Sequence, residues 1–372
     1  MIVDAHLHAF PHLGGAAGFS DLESHRASHQ LKVERWWGRM LTNTLDEKYM
    51  PLAGEDVQFR VGKFGRFEWV KNGKRCWMQR FPLSLEEVEW SPERMIAHMD
   101  AIGVDVGVLQ AGYMELNYCR SYFDEAVKAF PDRFISTVAV DFDVRQNEAG
   151  RQASIDKLRR AYHEQNARGV YQGYVKGQPL DDPRFDAYWK AYCDLSIPHI
   201  TQTGFEALPQ YLDHLARIER VALKFPEMKI IIGHLGGNIR HPSNPSFTDT
   251  PAELFPLLRL PNVFFEVGYV LAYENREIWG DDYEYPYPRH EEVIRRVYEE
   301  VGADKLIWGS DMPFVERTCT YRQCLDLVRV HCKFMSADEK DKVVGKTAAR
   351  LFGLKPRVGI LDQNVRKEVA AV

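Results

Sequence analysis

Cysteine is scarce in this 372-residue chain. The six residues Cys76, Cys119, Cys193, Cys319, Cys324 and Cys332 are scattered, and no two form a C-x-x-C pair. That argues against a cysteine zinc site or a disulfide framework and predicts a reduced, cytoplasmic setting. Positive charge is not in excess. Lys and Arg total 48 against 53 Asp and Glu, a formal net charge of -5. Nothing in that balance draws the chain to nucleic acid. No apolar run is long enough to span a bilayer, so no membrane association is expected. The opening MIVDAHLH lacks the basic region and apolar core of a signal peptide. No Gly-rich dinucleotide loop follows any apolar run, and no repeat or low-complexity segment is present. What remains is a composition of 45% hydrophobic and 27% charged residues, that of a soluble globular protein. The length suits one large α/β barrel or two ordinary domains.

Eight short, β-branched, apolar runs recur along the chain, at residues 2–5, 104–110, 134–140, 169–176, 197–203, 229–234, 263–269 and 305–311. Runs that are apolar on both faces are the pattern of buried parallel strands. Helical signals separate most of them. Ser91-Pro92 is an N-cap followed by proline at the first helical position, ahead of a Met95, Ile96, Met99 stripe. Gly103 closes that helix, and similar junctions stand at Arg168-Gly169 and Val301-Gly302. Eight strands alternating with helices predict a (β/α)8 TIM barrel. An open doubly wound sheet is the second reading.

The first connection is abnormal. Roughly 75 residues separate the first strand from the Ser91 helix, far more than an ordinary βα loop. The segment is rich in aromatics, among them Phe19, Trp36, Trp37, Phe67, Trp69, Trp77, Phe81 and Trp90. Residues 67–71 and 74–78 flank Asn72-Gly73, a strong hairpin signal. We therefore expect one domain over residues 1–372 with a partly β, cap-like insertion over about 12–90 above the catalytic face of the barrel. A packing or oligomer surface is the bland alternative for the same segment.

Polar groups stand at four strand ends where an apolar core would not tolerate them unaided. The first is Asp4-Ala5-His6-Leu7-His8. Side chains alternate along a strand, so His6 and His8 share a face and converge on one divalent metal ion. The second is His234, in IIIGHLGG; the third is Asp311, in LIWGSDMPF; the fourth is Gln202, in PHITQTG. His6, His8 and Asp311 supply three ligands, and His234 is left free to act as acid or base. Each alone has a plainer reading. A lone strand histidine is ordinarily a hydrogen-bonded core residue, and a lone Asp at a strand end ordinarily caps a turn. The combination is the specific signal.

The spacing of DAHLH, GHLGG and GSDMPF resembles the second amidohydrolase-related family, the branch around aminocarboxymuconate-semialdehyde decarboxylase. The likeness extends to FPDRF at 130–134, DPRF at 182–185 and KTAARLF at 346–352. The resemblance implies a (β/α)8 barrel, often with one divalent metal ion, commonly Zn or Mn. It implies His6 and His8 as ligands, Asp311 as ligand or proton carrier, and His234 as the catalytic histidine. The chain departs from the family pattern at strand five, where Gln202 stands in place of a ligand histidine. A neutral amide oxygen is a weaker ligand, so Gln202 is a weak metal candidate. His199 cannot replace it, lying about 10 Å back along the strand and on the other face.

Substrate-binding candidates are Lys176 at the end of strand four, Glu266 in strand seven, Arg240, Arg289 and His290 on the rim, and Trp77 of the insertion. Arg240, Arg289 and His290, like the further rim candidate His241, are more often solvated loop residues, and Asn117 after strand two is a weak further candidate. An unpaired Glu266 would be costly in a strand, so it should pair with a basic group or orient a ligand. The first functional reading is a metal-dependent non-oxidative decarboxylase of an aromatic, hydroxyaromatic or muconate-type acid. The alternative is a hydrolase of a lactone, ester or amide, with or without metal. A non-catalytic binding barrel is the third, and it has no need of the His6, His8, His234 and Asp311 set. The expected partner is a small carboxylic acid or lactone, with a homodimer as the expected assembly.

Overall fold

The computed structural model describes residues 1–37, 40–111, 119–140, 143, 145–173, 179–202, 204–205, 208–236, 238–239, 252–268 and 284–355. Eight strands form one parallel sheet in chain order: β1 Val3–Leu7, β2 Val106–Leu109, β3 Phe134–Val138, β4 Ala167–Gly173, β5 His199–Gln202, β6 Ile230–Ile232, β7 Val263–Val267 and β8 Leu306–Trp308. Every neighbouring pair is parallel. The sheet closes where the segment after β8 returns to β1. His8 N–H donates to Met312 O at 2.7 Å, and Asp311 N–H donates to His6 O at 2.9 Å. This is the (β/α)8 barrel that the spacing of apolar runs predicts. Six of the eight expected runs contain their strand; β1 continues past the expected end at residue 5 to Leu7, and β4 begins at Ala167, two residues before the expected run.

Val3, Ala5, Val106, Val108, Ile135, Tyr171, Ile200, Ile231, Phe264 and Ile307 of the eight strands form one packed apolar cluster. Ala348, Leu351 and Phe352 of the closing helix plug it from below. Strand β1 carries one extra residue, since Asp4 pairs with Gly107 but Leu7 pairs with Leu109. Such a bulge resets the alternation of side chains. Ala5 can thus belong to the apolar cluster while His6 and His8 both reach the mouth above it.

The outer helices follow local signals. Ser91 Oγ accepts from Arg94 N–H at 3.2 Å and Gly103 ends the Pro92–Ile102 helix in the left-handed region, with Met95, Met99 and Ile102 buried. The insertion holds a helix, Leu22–Trp36, and a small antiparallel sheet of Arg60–Val61, Arg66–Lys71 and Lys74–Gln79. Lys71 pairs with Lys74 across Asn72-Gly73, both with positive φ, so the tight hairpin forms at the dipeptide that predicts it. The helix was not expected. Its residues show little apolar periodicity, and its one clear signal is the Asp21 cap, whose carboxylate accepts from Ser24 N–H at 2.7 Å. Among the described residues no helix is long and apolar enough to cross a membrane.

Candidate metal centre

The polar groups converge at the C-terminal end of the barrel. His6 Nε2 lies 3.2 Å from His8 Nε2 and 3.5 Å from Asp311 Oδ1, and His8 Nε2 lies 2.9 Å from Asp311 Oδ1. All three side chains are buried. Residues from β1 and from the loop after β8 thus meet at the seam that closes the barrel. The His234 ring, from the turn after β6, sits 4.6 Å from the His6 ring, centroid to centroid. Both His234 and Asp311 adopt left-handed backbone, with φ of 53° and 60°. Non-glycine residues pay for that conformation, and it clusters where side-chain aim is functional.

Glu266 stands behind His6. Its two carboxylate oxygens lie 3.2 and 3.1 Å from His6 Nδ1, and Oε1 also accepts from His234 N–H at 3.1 Å. One carboxylate of β7 therefore ties β1 to the turn after β6. A hydrogen bond from His6 Nδ1–H to Glu266 leaves the Nε2 lone pair aimed at His8 and Asp311. Asp4 performs a second structural tie that the sequence reading missed. Its Oδ1 accepts from His6 N–H and Ser310 N–H, at 3.0 and 2.9 Å, and its Oδ2 accepts from Tyr321 O–H at 2.8 Å. The available signal was a carboxylate buried inside an apolar strand, two residues before His6.

The electrostatics follow from burial set against pairing. Burial opposes charge on His6, yet Glu266, with Asp311 and Asp4 beyond it, raises its pKa to about 8. Burial likewise opposes the Asp311 carboxylate, but the His8 hydrogen bond and the nearby imidazoles bring it to about 2. Burial lowers His8, and it lowers His234 to about 4. Burial raises Asp4 to about 6.

One wall of the site is aromatic. His8 meets Phe314 edge to face at 5.2 Å, and Phe314 packs on Phe81 at 5.4 Å and on Phe10 at 6.2 Å. The Arg80 guanidinium lies 4.8 Å from the Phe314 ring and 4.7 Å from the Trp36 ring. Arg80 and Phe81 come from the insertion, and no local sequence signal singled them out.

Other expected site residues are placed as follows. Trp77 lies on the insertion sheet beneath the Arg66 guanidinium, 4.1 Å from its centroid, beside a groove of about 970 Å³ that also borders Arg26, Arg75 and Trp69. Arg289 and buried His290 open the Pro288–Val301 helix, where burial holds His290 down at about 3. His199 faces away from the mouth, stacked on Tyr192 at 5.7 Å. Gln202 ends β5 opposite Gly173. The Gln202 side chain, and Lys176, Asn117, Arg240 and His241, lie outside the described residues.

The donor set fits a divalent cation. Three atoms between 2.9 and 3.5 Å apart approach the edges of a tetrahedral zinc shell, about 3.3 Å for bonds near 2.05 Å. Two imidazole nitrogens and a carboxylate are borderline ligands suited to zinc or manganese. His6, Glu266 and His234 form a second cluster of candidate ligand atoms that shares His6.

A parallel eight-stranded barrel with imidazoles and carboxylates gathered at its C-terminal mouth defines a TIM-barrel enzyme with a candidate metal site. The chain belongs to the amidohydrolase family, whose family model matches residues 3–354. No curated protein matches the sequence. Among solved structures, the chain is similar to the probable 2-pyrone-4,6-dicarboxylic acid hydrolase of Acinetobacter baumannii with citric acid bound. Identity is 16%, with 95% of this chain and 99% of that chain covered and a TM-score of 0.58. It is similar to an amidohydrolase of Burkholderia multivorans at 15% identity, 95% and 100% coverage and a TM-score of 0.58. It is also similar to 4-oxalomesaconate hydratase of Rhodopseudomonas palustris at 15% identity, 100% and 99% coverage and a TM-score of 0.54. Likeness at this identity establishes the shared fold.

Proposed function

We propose that this protein is a metal-dependent hydrolase of a lactone, ester or amide derived from a small carboxylic acid. The observation that carries the reading is the meeting of His6 Nε2, His8 Nε2 and Asp311 Oδ1 within 3.5 Å of one another, with His234 beside them. His6, His8 and Asp311 would hold the ion, zinc or manganese, with Gln202 as a weak further ligand. When bound, such an ion supplies Lewis-acid polarisation of a substrate oxygen.

The chain's own residues supply the rest. Asp311 is held as a carboxylate, so at neutral pH it accepts a proton from an attacking water. His234 is held as a neutral imidazole, whose N–H can donate to an oxyanion developing on the carbonyl. Glu266 keeps His6 in one orientation and one tautomer. The insertion acts as a cap. Its Arg80 and Phe81 pack on Phe314 beside His8 and make that side of the mouth water-poor.

The second reading is non-oxidative decarboxylation of an aromatic, hydroxyaromatic or muconate-type acid. The observation that favours it is the wall of Phe10, Phe81 and Phe314 beside the site, which suits a planar acid. It stands second because carbon protonation needs a loaded acid. The two groups that would deliver the proton, Asp311 and His234, are held in their proton-poor forms, and His6, raised to about 8, is taken up as a ligand in this reading.

The test is a panel of aryl lactones, aryl esters and hydroxybenzoates with zinc- or manganese-loaded protein. The reading expects acid release from a lactone or ester, abolished by Asp311→Asn, with no CO2 in the headspace. CO2 from a hydroxybenzoate, with no hydrolysis of any lactone or ester, would replace the first reading by the second.

A further inference from the structure

His6 and His8 leave the same strand two residues apart, yet they are held by different means. His6 has a carboxylate on its far nitrogen, with both Glu266 oxygens within 3.2 Å of Nδ1. His8 has no such anchor. Among the described residues its Nδ1 has no hydrogen-bond partner, although the side chain is buried. A buried imidazole whose ring can turn is a poor ligand, because rotation about its side-chain bonds carries Nε2 off target.

His8 Nε2 meets His6 and Asp311, and the His6 ring lies 5.1 Å away; on the other side the His8 ring meets Phe314, edge to face at 5.2 Å and 77°. Phe314 is itself clamped. Phe81 lies on it at 5.4 Å, Phe10 at 6.2 Å and the Arg80 guanidinium at 4.8 Å. The clamp is rigid at both ends. Arg80 and Phe81 both donate their N–H groups to Gly65 O, at 3.0 and 2.9 Å. Gly65 has φ of 73°, and a Cβ there would lie 2.4 Å from Phe81 O, so only glycine fits. On the other side, Arg317 of the Phe314–Arg317 turn donates through Nη1 to Arg80 O at 3.0 Å and through Nε to Phe314 O at 3.1 Å. Insertion and strand-eight loop are thus bolted together around one ring.

We propose that Phe314 is the positioning residue for His8, held in place by Arg80 and Phe81 of the insertion. It does by packing what Glu266 does for His6 by hydrogen bonding. The role of the long insertion then includes completing the metal site, beyond covering it. This inference rests on the reading of His8 as a metal ligand.

The experiment loads full-length protein with zinc in competition with a chromophoric chelator, and separately with Co(II) to read the ligand field by visible absorption. Phe314→Leu is expected to weaken zinc binding roughly 10-fold and to alter the Co(II) spectrum, the lower end of the effect of losing an outer-shell partner. Phe314→Tyr keeps the ring and should restore both. Phe81→Leu, a milder change one layer out, should shift both in the same direction by less. Phe59→Leu alters the insertion core at Phe67 instead and should change neither. Circular dichroism confirms that each variant folds. Zinc affinity and Co(II) spectra unchanged in both Phe314→Leu and Phe81→Leu, with the wild type loading normally, would overturn this inference alone. A wild type that takes up neither ion would overturn the metal reading and this inference with it.

Discussion

Two groups of buried histidines in this barrel share burial and differ in the charges that surround them. At the mouth, His6, His8 and His234 stand among Asp4, Glu266 and Asp311. On the outer side of β5, His199 stacks on Tyr192 and meets Trp189 edge to face at 5.4 Å, with the neutral His214 of the Leu208–Lys224 helix nearby. His6 and His199 are both fully enclosed. One is raised to about 8, and the other is lowered to about 3. Burial alone makes an inert, neutral imidazole. Burial with the Glu266 carboxylate on its far nitrogen raises His6, whereas His8 and His234 at the same mouth stay lowered. Carboxylates, more than histidines, thus separate the site from the core.

The comparison can be broken most forcefully at Asp311. Asp311→Asn removes a proposed ligand and the proposed base together, and turnover should fall roughly 10²–10⁴-fold, the range for losing a positioned acid–base group. Steady-state kinetics on whichever substrate is turned over checks this; near-normal turnover would remove Asp311 from the chemistry. Glu266→Gln comes next. It keeps the shape but removes the charge behind His6, and metal affinity should drop roughly 10–100-fold by chelator competition.

The outer group makes a subtler prediction. His199, His214 and His290 are held near 3, 4 and 3 by burial. The unfolded chain therefore binds more protons than the folded one below about pH 6.5. The contribution of these three groups should be full above that value and decline as pH falls toward 4, whereas that of His6, raised to about 8, is lost as pH rises through 8. Melting temperatures between pH 7.5 and 4.5 check the slope. His199→Phe should flatten part of that decline while leaving turnover unchanged, the smallest effect of the four. An activity loss with metal content intact would place His199 in the chemistry after all.

The barrel could be read from sequence because most strands fall in short, largely apolar runs buried on both faces, such as Val106–Leu109 and Ile230–Ile232, spaced by helical signals. The convergence of His6, His8, His234 and Asp311 could be read because H-x-H, GHLGG and GSDMPF each put an unusual polar residue at a strand end. Glu266 stood out as a charge among Phe264, Phe265 and Val267. The rest depends on distant pairings that no local pattern encodes. Asp4 meets Tyr321 across 317 positions, and Phe81 meets Phe314 across most of the chain. The Leu22–Trp36 helix escaped notice because its buried residues include His25, His29, Gln30 and Lys32, which read as surface. Trp77 drew attention by residue type, and its actual neighbours are Arg66 and the insertion groove.

The most direct measurement is a crystal structure of zinc-soaked protein with anomalous data collected at the zinc edge. The account predicts one strong peak within bonding distance of His6 Nε2, His8 Nε2 and Asp311 Oδ1. No peak there, or a peak only at surface histidines while those three side chains keep their present contacts, would contradict it.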